Sequence, residues 1–148
     1  MTREDNQDPA VLAAVPINRD EIQVMFLRSP DDPAAFGPLW ERLEALVGLR
    51  GRKFFGAFIA SSNEYHVCVQ MKEGDDPAAL GLESGTLPGG RYLRARLHGK
   101  PPGVYERIGP TFKALMKVAH ADETRPEIEF YRSFDEIDLL LPIAASDS

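Results

Sequence analysis

The chain has 148 residues, 43% of them hydrophobic, enough for one sizeable core and no need of a second domain. Its formal net charge is −6, from 23 acidic against 17 basic residues, and it carries no basic stripe interleaved with aromatics, so a phosphate backbone is a poor partner. Cys68 is the only cysteine, which excludes an intrachain disulfide and implies no oxidising compartment.

Residues 1–16 are polar and acidic, then alanine-rich, and are expected to be a mobile tail, as are residues 145–148. Residues 17–144 are expected to form one domain. The N-terminus lacks a basic start followed by an apolar run, and no stretch approaches membrane-spanning length. The expectation is a soluble, cytoplasmic protein without membrane contact.

Within the domain the periods alternate. Ile22, Val24 and Phe26 share one face of a first strand over residues 21–27. Ser29-Pro30-Asp31-Asp32-Pro33 stops it and supplies capping groups for a helix. That helix carries Phe36, Leu39, Trp40, Leu43, Leu46 and Val47 at helical spacing and ends at Gly48. Residues 53–60 and 65–72 then read as a hairpin across Ser61-Ser62-Asn63-Glu64. The pairs Phe54-Phe55 and Phe58-Ile59 suggest a strand covered on both faces. Cys68 lies in its partner and reads as a small buried hydrophobe.

The second half repeats the order. After a linker over residues 73–90, closed by Pro88-Gly89-Gly90, residues 91–98 form a strand. Tyr92 sits on its polar side, and Arg91, Arg94, Arg96 and His98 read as a solvated face. Residues 103–120 carry a helical stripe of Tyr105, Ile108, Phe112, Leu115, Met116 and Ala119. Pro110 either sits in a first turn or kinks the helix. Residues 126–132 and 136–143 are two more strands. Strand-helix-strand-strand is thus written twice, ~70 residues apart. The expected fold is α+β: two such repeats related by a pseudo-twofold, with antiparallel sheets, two main helices and a central crevice suited to a small molecule.

Glu129 and Tyr131 stand two apart on one strand and so share a face. Inside an otherwise apolar, aromatic strand, a carboxylate is costly to desolvate unless something pairs with it. If that face looks into the crevice, Glu129 can pair with a cation that also stacks on aromatic rings. Left unpaired, its pKa rises toward that of a general acid or base. If the face is solvent, both are ordinary surface residues. Trp40 and Tyr105 occupy corresponding helices and serve either the core or a ligand; Phe58 and Tyr65 flank the hairpin loop and could reach the crevice. His66, His98 and His120 lie on separate elements without ligand spacing, so no metal is expected, and no cofactor motif is present.

These residues resemble the gyrase-inhibitor-like (GyrI-like) small-molecule-binding domains, found as effector domains of some bacterial AraC- and MerR-type multidrug regulators and also alone. The resemblance rests on Pro88-Gly89-Gly90-Arg91-Tyr92, Gly99, Tyr105, Glu129-Phe130-Tyr131 and Leu141-Pro142-Ile143, with Phe55-Gly56 and Tyr65-His66-Val67-Cys68-Val69 in the first half. The hairpin loop after Ala60 is shorter than is usual there, and Ser29-Pro30-Asp31 replaces a glycine that often follows the first strand. The resemblance implies an aromatic pocket between the halves, with the Glu129 carboxylate at its base.

Three functions follow as expectations. The first is stand-alone binding of a hydrophobic molecule, cationic or neutral, by Glu129, Tyr131, Tyr105, Trp40, Phe58 and Tyr65. The second is hydrolysis of strained electrophilic rings, with Glu129 as base and Tyr131 assisting. The third is a protein-interaction role, such as modulation of gyrase or a toxin. Direct nucleic-acid binding by this chain is not expected; a protein partner is compatible with it.

Overall fold

A computed structural model describes residues 8–144. Helix α1 (Pro9–Leu12) and strand β1 (Val15–Arg19) come first, followed by β2 (Ile22–Pro30), α2 (Pro33–Val47), β3 (Phe54–Ile59) and β4 (Glu64–Gln70). Then come α3 (Pro77–Leu80), β5 (Glu83–Leu87) and β6 (Gly90–His98). A 3-10 turn (Gly103–Arg107) leads into α4 (Ile108–Val118), and β7 (Glu127–Ser133) and β8 (Glu136–Pro142) close the fold.

All eight strands form one curled antiparallel sheet in the order β1-β6-β8-β7-β3-β4-β2-β5. The order explains the repeat. From the β7–β3 seam outward, each side reads second hairpin strand, then first strand of its unit, so the two strand-helix-strand-strand units meet about a pseudo-twofold. Each half also lends one strand to the other: β1, ahead of the first unit, pairs with β6, and β5, ahead of the second, pairs with β2.

Those exchanged strands correct two expectations. The N-terminal tail was expected to run through residue 16, yet α1 and the start of β1 lie within it. Asp8 caps α1 by accepting from the Ala10 amide at 2.8 Å, and Ala10 and Val11 are buried against Phe112 and Leu115 of α4. Alanine and valine there are a small apolar patch rather than tail composition. Residues 1–7 and 145–148 lie outside the described residues. Likewise the stretch over residues 73–90, expected as linker, holds α3, capped by Asp76, and β5, whose Leu87 is buried.

Both main helices lie on the same face of the sheet. Helix α2 is capped by Asp32, whose carboxylate accepts from the Ala34 amide, and ends at Gly48 with φ +78°, a backbone geometry that favours glycine. Its Leu43, Trp40 and Phe36 pack on Met25, Val67, Val69 and Tyr65. Helix α4 packs Phe112 and Leu115 on Ala95, Leu97, Ile137 and Leu139. Pro110 falls in the first turn, where its missing N–H costs no bond, so the helix starts late rather than kinking. Met116 points outward instead of joining the stripe. The opposite face carries a second apolar layer, with Val24, Phe55, Cys68, Tyr92, Ile128 and Leu140 inside the curl. No described helix is long and apolar enough to cross a membrane.

Strand β6 departs from its expected solvated face. Tyr92 is fully buried; its hydroxyl donates to the Pro88 carbonyl at 2.6 Å, and the Arg125 guanidinium lies 4.9 Å from its ring centroid. Arg96 grips the buried Asp138, its register partner on β8, with two N–H donors at 2.6 and 3.2 Å. An opposite charge across the strand, absent from any local pattern, turns that arginine from solvent to structure.

Candidate functional site

The β3–β7 seam runs along the floor between the two helices. Register sets Phe54 opposite Tyr131, Gly56 opposite Glu129 and Phe58 opposite Glu127. On the far side of β3, Phe58 stands opposite Tyr65 of β4. Period-2 alternation therefore puts Phe54, Gly56, Phe58, Tyr65, Glu127, Glu129 and Tyr131 on the helix-bearing face.

Two phenols converge on one oxygen. Tyr65 and Tyr131 each donate from the hydroxyl to Glu129 Oε1 at 2.6 Å. Both bonds are short, as expected for hydroxyl donors to a carboxylate. Oε2 receives neither. Glu129 and Tyr131 are partly buried, whereas Tyr65 is only 4% exposed. Rings enclose the group: Phe36 stacks on Tyr65 at 4.0 Å between centroids, Trp40 meets Tyr131 edge-on at 5.1 Å, and Tyr105 meets Tyr131 edge-on at 6.3 Å. Tyr105 is about half exposed, at 49%.

The electrostatics follow from this packing. Burial raises the Glu129 pKa above the ordinary glutamate value; the Tyr131 and Tyr65 hydroxyls pull it down, and Asp31 pushes it up again. Burial and the Glu129 charge raise both tyrosines well above their usual range, so they stay protonated donors. Glu127 is raised by burial first, then by Glu129 and Asp31. This wall of the crevice is rich in negative charge, and the hydrogen bonds to Glu129 come from phenols rather than from a basic side chain. Cys68, buried behind the same strands, has its thiol pushed up by burial and then by Glu129, which makes it unreactive.

Of the residues singled out in the sequence, the fold brings Glu129, Tyr131, Tyr65, Trp40 and Tyr105 into one connected group. Phe58 stands apart from it, beside Glu127, Ala121 and Arg125 in a hollow of about 40 Å³. A wider, open hollow of about 350 Å³ lies among Arg28, Ser29, Pro30, Ser62, Asn63 and Glu64. Neither contains Glu129. Sequence reasoning missed Phe36 and Gly56 as members of the site. Phe36 stood on the same helical stripe as Trp40, one turn earlier, which was the available signal. A glycine amid the phenylalanines of β3 was the other.

Comparison with known proteins agrees with this architecture. No protein-family model matches the chain, and no curated protein matches its sequence. Among solved structures, an integron cassette protein from the mobile metagenome of Vibrio cholerae is similar with a TM-score of 0.73 at 15% identity, over 88% of this chain and 95% of that one. SAV2435, solved bound to tetraphenylphosphonium, is similar with a TM-score of 0.64 at 13% identity, over 88% of this chain and 93% of its own. The C-terminal domain of EcmrR is similar with a TM-score of 0.61 at 12% identity, over 90% and 98%. At such identities the likeness shows a shared fold, in keeping with the GyrI-like fold expected from the sequence.

Proposed function

We propose that this chain binds a hydrophobic, cationic small molecule in the crevice between α2 and the 3-10 turn before α4, with Glu129 as the anchor. The observation that carries the reading is the Glu129 carboxylate itself. It is held by two phenols through Oε1, leaves Oε2 to a ligand, and is surrounded by Phe36, Trp40, Tyr105 and Tyr131. A lipophilic cation satisfies both demands of such a place. Its charge offsets a desolvated carboxylate, and its apolar surface stacks on rings whose faces attract positive charge. The binding of tetraphenylphosphonium by SAV2435, on the same fold, supports this class of ligand.

Rings crowd the partly buried carboxylate, so a bulky ligand displaces some of them. Tyr105 is the natural gate, being half exposed and in contact with Tyr131 only at its edge. Hydrolysis with Glu129 as base would use the same carboxylate. It further needs a positioned water and a second polar group, so binding is the reading that asks for less.

Calorimetric titration with tetraphenylphosphonium, followed in parallel by Trp40 fluorescence, tests the proposal. Micromolar-range affinity is expected, roughly −8 kcal/mol, with quenching of Trp40. Glu129→Gln should cost about 2–4 kcal/mol of that affinity, while uncharged triphenylphosphine oxide should bind both forms alike. Equal affinity of both forms for the cation would refute the anchor.

A further inference from the structure

Gly56 is out of place by every local rule. It sits in the middle of a central strand between phenylalanines, where glycine packs nothing and weakens the strand. Its backbone is outside the left-handed region, so conformational freedom does not explain it. Space does. A methyl group at that Cα would overlap the Tyr65 hydroxyl and stand 2.5 Å from Glu129 Oε1 and 2.9 Å from Tyr65 Cζ.

The strand order shows why the space is needed. Tyr65 is on β4 and Glu129 on β7, with β3 between them. Two sheet spacings of roughly 4.8 Å separate them, and the tyrosine spans that distance only by passing directly over β3. It crosses at residue 56, the register partner of Glu129.

We propose that Gly56 is a positioning residue of the site: its bare Cα lets the Tyr65 hydroxyl cross β3 to Glu129, and so fixes how firmly the site holds a cation as pH falls. The proposal rests on the reading of Glu129 as cation anchor. The groups acting on that carboxylate are Tyr131 from β7, Tyr65 from β4 and Asp31 from the loop entering α2, and Glu129 in turn raises Glu127 two residues away on β7. Among the described residues, only the two hydroxyls favour its charged form. Displacing one leaves burial and the neighbouring carboxylates opposed by a single donor, and the pKa of Glu129 rises. A cation is held by the carboxylate and released as pH falls through that pKa, so losing the Tyr65 bond moves release to higher pH.

The experiment is tetraphenylphosphonium titration from pH 5 to pH 8 on wild type, Gly56→Ala, Tyr65→Phe and the double variant. Gly56→Ala and Tyr65→Phe should each raise the pH of half-release and weaken binding most at the acid end of the range, by up to about tenfold there. The double variant should lose less than the product of the two single losses, because the hydroxyl is lost only once, while the methyl still meets Glu129 Oε1 and the ring at position 65. A Gly56→Ala protein with wild-type affinity and pH profile overturns the proposal. So does a double variant whose loss is the product of the two singles. Should Gly56→Ala fail to fold, Tyr65→Phe carries the test: a raised pH of half-release supports the proposal, and a wild-type profile overturns it. Glu129→Gln separates the two readings. If it binds the cation like wild type, the anchor itself fails; if it weakens binding and Gly56→Ala does not, only the role of Gly56 fails.

Discussion

Removing the Arg96 side chain should expose how strongly the second half of the sheet depends on one buried acid. Asp138 is 3% exposed, and Arg96 holds it with two charge-assisted bonds at 2.6 and 3.2 Å. Arg132 is the next cation, with its nearest nitrogen 3.7 Å away and its side chain 38% exposed. Arg96→Ala leaves Asp138 in place with only that weaker partner. Breaking a buried pair in this way costs about 3–5 kcal/mol. Arg96 is itself 30% exposed and Arg132 compensates in part, so about 2–3 kcal/mol is the appropriate figure here. With a urea slope of roughly 2 kcal/mol/M, the midpoint should fall by about 1–1.5 M. The assay is urea unfolding read by Trp40 fluorescence and circular dichroism. In an Asp138→Ala background the same arginine substitution should cost under ~1 kcal/mol, because no buried charge is left behind. An Arg96→Ala loss below ~0.5 kcal/mol, or an equal loss in both backgrounds, would refute the reasoning. The pair matters to the site because Leu139, the next residue on β8, is the register partner of Glu129.

Two further outcomes follow from the packing. Leu43 is fully buried beneath α2, so Leu43→Ala should cost about 3 kcal/mol of stability in the same unfolding assay. Asp75 accepts two bonds from Arg52, which, with the Lys72 amide, hold its pKa at about 2, below the unfolded value. A depressed carboxylate stabilises the fold above its unfolded pKa and stops doing so as pH falls through its folded one. Wild type should therefore lose stability between about pH 4 and pH 2, and Asp75→Asn should lack that part of the loss.

The repeated unit was legible because its signals are local. Gly48 and Asp32 mark the ends of α2, the Phe-rich hairpin reads as buried on both sides, and the second half repeats the order. Strands β1 and β5 were not legible. Each is five residues long and mostly exposed, and its reason for existing is a partner in the other half of the chain. Helix α1 is a single turn whose stability comes from the contact of Ala10 and Val11 with α4. The site was legible as far as alternation reaches: Glu129 and Tyr131 had to share a face. Which face that was depended on long-range pairing, and so did the convergence of Tyr65, 64 residues away in sequence, on the same oxygen. Tyr92 shows the same limit from the other side. Its strand looks polar by composition, and burial comes from the curl of a sheet that no local pattern encodes.

The most direct measurement of the central claim is the carboxyl ¹³C titration of Glu129 by nuclear magnetic resonance, with and without tetraphenylphosphonium. Without the cation, Glu129 should titrate above the ordinary glutamate range, because burial outweighs the two tyrosine hydroxyls. With the cation bound, its pKa should move down, since a neighbouring positive charge favours the carboxylate. A Glu129 that titrates like an exposed glutamate, and is indifferent to the cation, would contradict the account.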